Sequence, residues 1–163
     1  MKALIVGLCC ALSWTACSQS PGAESAPPEV APLSAGALDS LRALITAESY
    51  CRDTVDLRRV ATVVANRVAD PRFPNTYASV IGDPRQFPST LRADFGQVYC
   101  AAAAEVAREV AAGQRYLDPD VLYFFRPDRT AASGSWLRRL EEGTVVRGEH
   151  HHFASLDRAA PVE

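Results

Sequence analysis

Two amphipathic stripes joined by one short break, between Leu38 and Val68, constrain this chain more than any other feature. Leu38, Leu41, Leu44 and Ile45 recur at helical spacing, and at about 100° per residue Glu48 falls near the middle of their stripe. A carboxylate there has three explanations: a helix that ends at Ala47 and releases it into water, a buried partner, or a working acid. Burial disfavours the charged form of a carboxyl group, which is how a Glu becomes able to donate a proton near neutral pH. After Cys51-Arg52 the second stripe begins. Asp53 reads as an N-cap, with Asp56 near the positive end of the helix dipole. Leu57, Val60, Ala61, Val64 and Val68 then hold one face until Asp70-Pro71 stops the helix. Asn66 lies on the opposite face.

Downstream the pattern changes twice. Prolines at 71, 74, 84 and 88 break up the next stretch. Asn75 is placed to cap a short helix through Tyr77, Val80 and Ile81, and Gly82-Asp83-Pro84 reads as a turn. Gln86-Phe87 reads as extended chain, where an amide and an aromatic face a ligand or pack within a loop. Residues 97–112, rich in Ala and free of Gly and Pro, predict a helix ending at Gly113. Tyr99, Ala103, Val106 and Val110 form its inward stripe, with Glu105 and Glu109 on a solvated flank. Residues 121–125 and 144–146 read as strands that pair with each other. Between them lie a loop at 131–134 and a helical turn from Trp136 to Leu140. His150, His151 and His152 point different ways, and no acid or cysteine spacing supports a metal site, so this reads as the aromatic-rich end of a strand.

Lys2 followed by the apolar run 3–12, too short to span a bilayer, reads as an export signal. It closes on Trp14-Thr15-Ala16-Cys17, which resembles a bacterial lipobox with Cys17 as the lipidated residue; the alternative is an ordinary secretory signal cut nearby. The organisation expected is a signal at 1–17, a disordered Pro/Ala/Ser tether at 18–36, a folded domain at 37–156 beginning near Ala35 or Leu38, and a tail at 157–163. Of five cysteines, Cys9 and Cys10 leave with the signal and Cys17 carries the lipid. Cys51 and Cys100 remain, an even pair in an oxidising compartment, and a disulfide between them is expected over two unpaired buried thiols. With 17 basic against 19 acidic residues and a net charge of −2, the chain has no surface built to neutralise phosphates, which excludes nucleic acid as the expected partner. No cofactor is implied, and membrane contact is expected through the lipid alone.

Several separated pieces occur in one order: Ala47-Glu48; Val60 through Val68 ending Asn66-Arg67-Val68; Phe73-Pro74-Asn75-Thr76; Gln86-Phe87; Leu122-Tyr123-Phe124 with Pro127; Trp136; Gly148; and His151-His152-Phe153. Together they resemble the bacterial cell wall hydrolases of the spore-cortex-lytic (SleB-like) type, over nearly the whole folded part. The resemblance implies an α+β, mainly helical domain with a small β-sheet, similar to lysozymes and lytic transglycosylases. It implies cleavage of peptidoglycan glycan between N-acetylmuramic acid and N-acetylglucosamine. The family's catalytic Glu maps onto Glu48, and its cleft-lining positions onto Gln86, Phe87, Tyr123 and His151. The family follows its Glu with a small residue, a variable residue, Gly and a second Glu; here Ser49, Tyr50, Cys51 and Arg52 stand in those places.

Hydrolysis with two carboxylates requires a second acid at a defined separation. Asp53 is the one acid near Glu48 in sequence, and it reads as a cap, so a single-acid route with Glu48 as general acid is favoured. The alternative is a catalytically inactive peptidoglycan-binding lipoprotein that uses the same cleft.

Overall fold

The computed structural model describes residues 33–128 and 134–159. The expected signal, Cys17 and most of the tether lie outside the described residues, as does most of the 131–134 loop. Described elements run α1 Ala35–Ser49, α2 Thr54–Ala69, α3 Tyr77–Ile81, a 3₁₀ turn Pro88–Leu91, α4 Ala101–Ala111, β1 Tyr123–Phe125, α5 Ser135–Glu142, β2 Thr144–Arg147 and β3 His152–Ala154. The architecture is α+β and mainly helical. No described helix is long and apolar enough to cross a membrane.

Helix α1 starts where a side chain first satisfies its open amides: Ser34 accepts from the Ala37 N–H. The first helical residues, Ala35 and Gly36, therefore belong to the domain and not to the tether. Asp53 caps α2 as expected, its carboxylate accepting from the Val55 N–H at 2.8 Å. The short α3 is capped by Thr76, which bonds the Ser79 N–H, in place of the expected Asn75.

The core sits between α1, α2 and α4. Leu41, Leu44 and Ile45 meet Leu57, Val60, Val63 and Val64 from α2 and Ala103, Val106 and Val110 from α4, all buried. Each fully buried aliphatic side chain contributes roughly 1.5–3 kcal/mol against the entropy of ordering the chain. The small Ala103 and Ala107 on α4 are buried with no bulk to hold the helices apart.

Helix α4 is shorter than expected. The chain turns at Gly96, whose φ of 80° suits glycine. Arg42 on α1 then donates to the carbonyls of Val98 and Gly96, and Cys100 Sγ accepts from the Ala103 N–H as N-cap. With those groups engaged the helix begins at Ala101, and Tyr99 is turned out, 73% exposed, not inward. Glu109 is not a free solvated acid either. It receives two hydrogen bonds from Arg58 and one from the Tyr116 hydroxyl, tying α2 to α4 and the chain beyond it.

The sheet has order β1-β3-β2, antiparallel throughout. The expected pairing of the first two strands is thus replaced by pairing of each with β3. A tight connection, closed by Gly148 N–H to the His151 carbonyl, makes β2 and β3 a hairpin, and β1 takes the remaining edge. Gly143 lets the α5–β2 turn press onto Ser155: a Cβ there would run into the Ser155 carbonyl oxygen.

Asn66 and Arg67 at the end of α2 hold the segment leading into β1. Asn66 Nδ2 donates to the carbonyls of Asp118 and Val121, and Arg67 Nε donates to that of Leu122 at 2.7 Å. Asn66, off the apolar stripe, is therefore the bridge from helix to sheet.

Candidate active site

Glu48 stands on the last turn of α1, half-buried, at an open groove of about 390 Å³. Ala47, Tyr50, Pro88, Ser89, Arg92 and Arg126 line the groove with it. The Ser89 hydroxyl, on the 3₁₀ turn, donates to Glu48 Oε1 at 2.5 Å. Oε2 makes no hydrogen bond among the described residues, so one oxygen is fixed and the other is open to a ligand. Glu48 is the one carboxylate among the described residues that line the groove. A smaller apolar cavity of about 110 Å³ adjoins it, sharing Ala47, Tyr50 and Arg92, with Phe95 and Val98 also in its lining.

Immediately after Glu48 the chain turns inward. Ser49 Oγ donates to Asp56 Oδ2 at 2.7 Å, and the same carboxylate meets His151 Nδ1 at 2.9 Å. Both Asp56 and His151 are buried, at 2% and 1% exposure. Burial by itself would push the Asp56 carboxyl up; the His151 hydrogen bond and charge, with the Ser49 hydroxyl, outweigh it and hold Asp56 below its ordinary value. This network joins α1, α2 and the start of β3 directly behind Glu48.

Tyr50 and Cys51 follow with φ of 50° and 58°, left-handed backbone in residues that carry a Cβ. Each such residue costs about 1–2 kcal/mol. Cys51 is disulfide-bonded to Cys100, with Cα atoms 6.2 Å apart, as the cysteine count predicts. Position 51 is where the family resemblance places a glycine, and the left-handed φ is the physical reason a glycine suits it.

The remaining residues named from sequence are not gathered at Glu48. Phe87 is 1% exposed, stacked on Phe124 and covered by the Arg67 guanidinium at 5.0 Å, so it is core and not cleft wall. Gln86 is exposed in a turn, not extended: the Gln86 and Phe87 N–H groups both reach the Asp83 carbonyl. His151 faces Asp56 and packs edge-on against Phe124 at 5.1 Å, out of ligand reach. Tyr123 is half-buried beside Trp136, Phe73 and Arg67, and does not line the Glu48 groove. Asp53 is occupied as a cap and is also absent from the groove. No cluster of three or more metal-ligating side chains occurs among the described residues.

Arg67 is the cation behind this region. Its guanidinium is caged by Phe73, Phe87 and Tyr123. Burial lowers its pKa to about 10, while the charges of Tyr123, Asp83 and Glu48 act in the opposite direction. It stays charged at neutral pH. Sequence reading missed Ser89, Arg92, Arg126 and Asp56. For Asp56 a signal existed: it shares the helical face of Val60 and Val63, so its carboxylate was bound to be buried.

The chain is similar to several known proteins. It is 38% identical over 81 residues to the spore cortex-lytic enzyme of Bacillus cereus, a match taking in 48% of this chain and 30% of that protein. The Bacillus subtilis spore cortex-lytic enzyme is 36% identical over 81 residues, with 48% and 26% covered. The chain thus matches under a third of the length of these relatives. Among solved structures, the catalytic domain of the germination-specific lytic transglycosylase SleB from Bacillus anthracis superposes with a TM-score of 0.65 at 24% identity, over 76% of this chain and 97% of that one. The catalytic domain of Bacillus cereus SleB gives 0.66 at 23% identity, over 83% and 100%. These superpositions establish that the chain shares the α+β fold of the SleB catalytic domains. The cell wall hydrolase family model matches residues 55–154, beginning just beyond Glu48, and by that match the chain belongs to the cell wall hydrolase family.

Proposed function

We propose that this domain cleaves the peptidoglycan glycan between N-acetylmuramic acid and N-acetylglucosamine, with Glu48 as the single general acid and base. The carrying observation is Glu48, the one carboxylate among the described residues of the groove, fixed through one oxygen by Ser89 and open at the other. Family membership supports peptidoglycan as the substrate class.

In this reading the protonated Glu48 gives its proton to the glycosidic oxygen, and the bond to the muramic acid C1 breaks with oxocarbenium character. The resulting carboxylate takes the proton from the muramic acid C6 hydroxyl as that oxygen attacks C1, which closes a 1,6-anhydro ring and returns Glu48 to its acid form. Two-carboxylate hydrolysis needs a second acid across the sugar ring. Asp53 is a cap and Asp56 is buried against His151 and Ser49, which favours the single-acid route.

The leader and Cys17 place the enzyme outside the cytoplasm in this reading, anchored by lipid in the cell envelope and reaching the wall on the Pro-rich tether. Zymography on purified walls tests the activity: clearing by native protein and none by Glu48→Gln supports it. Glycan retention without clearing by native protein supports a binding role instead.

A further inference from the structure

Tyr50 and Cys51 are the non-glycine residues with positive φ among the described residues. Such backbone is crowded for L-residues and persists where surrounding structure overdetermines it. Here a covalent tie does so. Cys51 is bonded to Cys100, the N-cap of α4, a helix packed into the same core as α1 and α2. The Tyr50 N–H still closes α1 on the Thr46 carbonyl at 2.9 Å, but the left-handed turn carries its ring into the wall shared by both cavities. Arg92 secures the ring: Nη1 donates to the Tyr50 hydroxyl at 3.0 Å, and the guanidinium lies 5.7 Å from the ring centroid. The Arg52 guanidinium lies 5.9 Å from the same centroid. Tyr50 as a whole is nonetheless 46% exposed. A large aromatic held this firmly and left open beside Glu48 has the form of a binding platform, because a rigid ring loses little freedom on contact.

We propose that Tyr50 is a glycan-contacting wall of the Glu48 groove, and that the Cys51–Cys100 disulfide is the positioning device that sets it. This rests on the reading of Glu48 as a peptidoglycan-cleaving acid. The disulfide acts on binding, through the backbone conformation of Tyr50, and not on proton transfer.

Three variants of the full chain test it: Cys51→Ser with Cys100→Ser, Cys51→Gly with Cys100→Ser, and Tyr50→Ala. Serine at position 100 keeps a good cap on α4. Glycine at position 51 reaches a φ near 58° without strain, whereas serine does not. KM and kcat are measured on purified peptidoglycan, together with Kd for the same sacculi by cosedimentation. The serine pair and Tyr50→Ala should each raise KM and Kd about fivefold or more. Their kcat should stay near the native value, and combining them should add nothing further. The glycine pair should return KM and Kd toward native. Equal values for the serine and glycine pairs, or an unchanged KM and Kd in Tyr50→Ala, would overturn the inference while leaving cleavage by Glu48 intact. Native protein that binds with this pattern but never cleaves would overturn the cleavage reading and not the platform. Absence of both binding and cleavage in native protein would overturn both.

Discussion

His151 Nδ1 lies 2.9 Å from the Asp56 carboxylate, in an interior position that neither residue leaves open to solvent. The pair connects β3 to α2, and through Ser49 it reaches the residue beside Glu48. Removing one member of a buried pair strands the other. Asp56→Ala or His151→Ala should therefore destabilise the fold by about 3–5 kcal/mol. Urea unfolding of both single variants and the double checks this. The double should cost clearly less than the sum, because each single change already breaks the same contact; simple additivity would mean the two residues act independently.

The Cys51–Cys100 bond closes a loop with a sequence separation of 49. Replacing both cysteines by serine should lower stability by about 2–4 kcal/mol in denaturant titration. Thiol labelling of the denatured, non-reduced native protein should find neither cysteine free. Labelling of both would contradict the bond.

Acid sensitivity should follow Glu109. Hydrogen bonds from Arg58, then the Tyr116 hydroxyl, lower its pKa from 4.5 to about 2 in the folded chain. A depressed carboxylate stabilises the fold at pH values above its unfolded pKa and loses that contribution as pH falls through the folded one. The stability gap between native protein and Glu109→Gln should thus be full at pH 6, shrink below about pH 4.5 and vanish near pH 2. Urea titrations at several pH values read it; a gap that grows on acidification would reverse the sign.

Membrane attachment should depend on Cys17. A Cys17→Ser chain should fractionate as soluble protein while the native chain stays with membranes. Equal partitioning would point to an ordinary secretory signal.

The helices were largely legible because burial imposes a 3.6-residue period: α1 and α2 stand close to where that period placed them, and α5 covers the turn expected from Trp136 to Leu140. Asp53 and the cysteine pair were legible for similarly local reasons, a cap position and an even count. Tyr99 was misplaced because Arg42, far away in sequence, takes the carbonyls that would have extended α4. Phe87 and His151 were expected at the cleft because the family resemblance maps its cleft-lining positions onto them, and a mapping along the sequence does not say which way a side chain faces. Their partners, Arg67 and Asp56, come from α2 and were not adjacent in sequence. The groove's cations and Ser89 were invisible for the same reason. A site built from α1, a 3₁₀ turn and the segment after β1 has no spacing of its own to read.

Whether Glu48 acts alone as the proton donor is read from muropeptide mass spectrometry of digested walls. Native protein should release fragments ending in 1,6-anhydromuramic acid. Glu48→Gln, nearly isosteric and still able to accept from Ser89, should keep its fold and lose at least about 10²-fold in rate. Reducing-end products would instead mean that water, activated by a second acid, captures the sugar. An unchanged rate in Glu48→Gln would contradict the account outright.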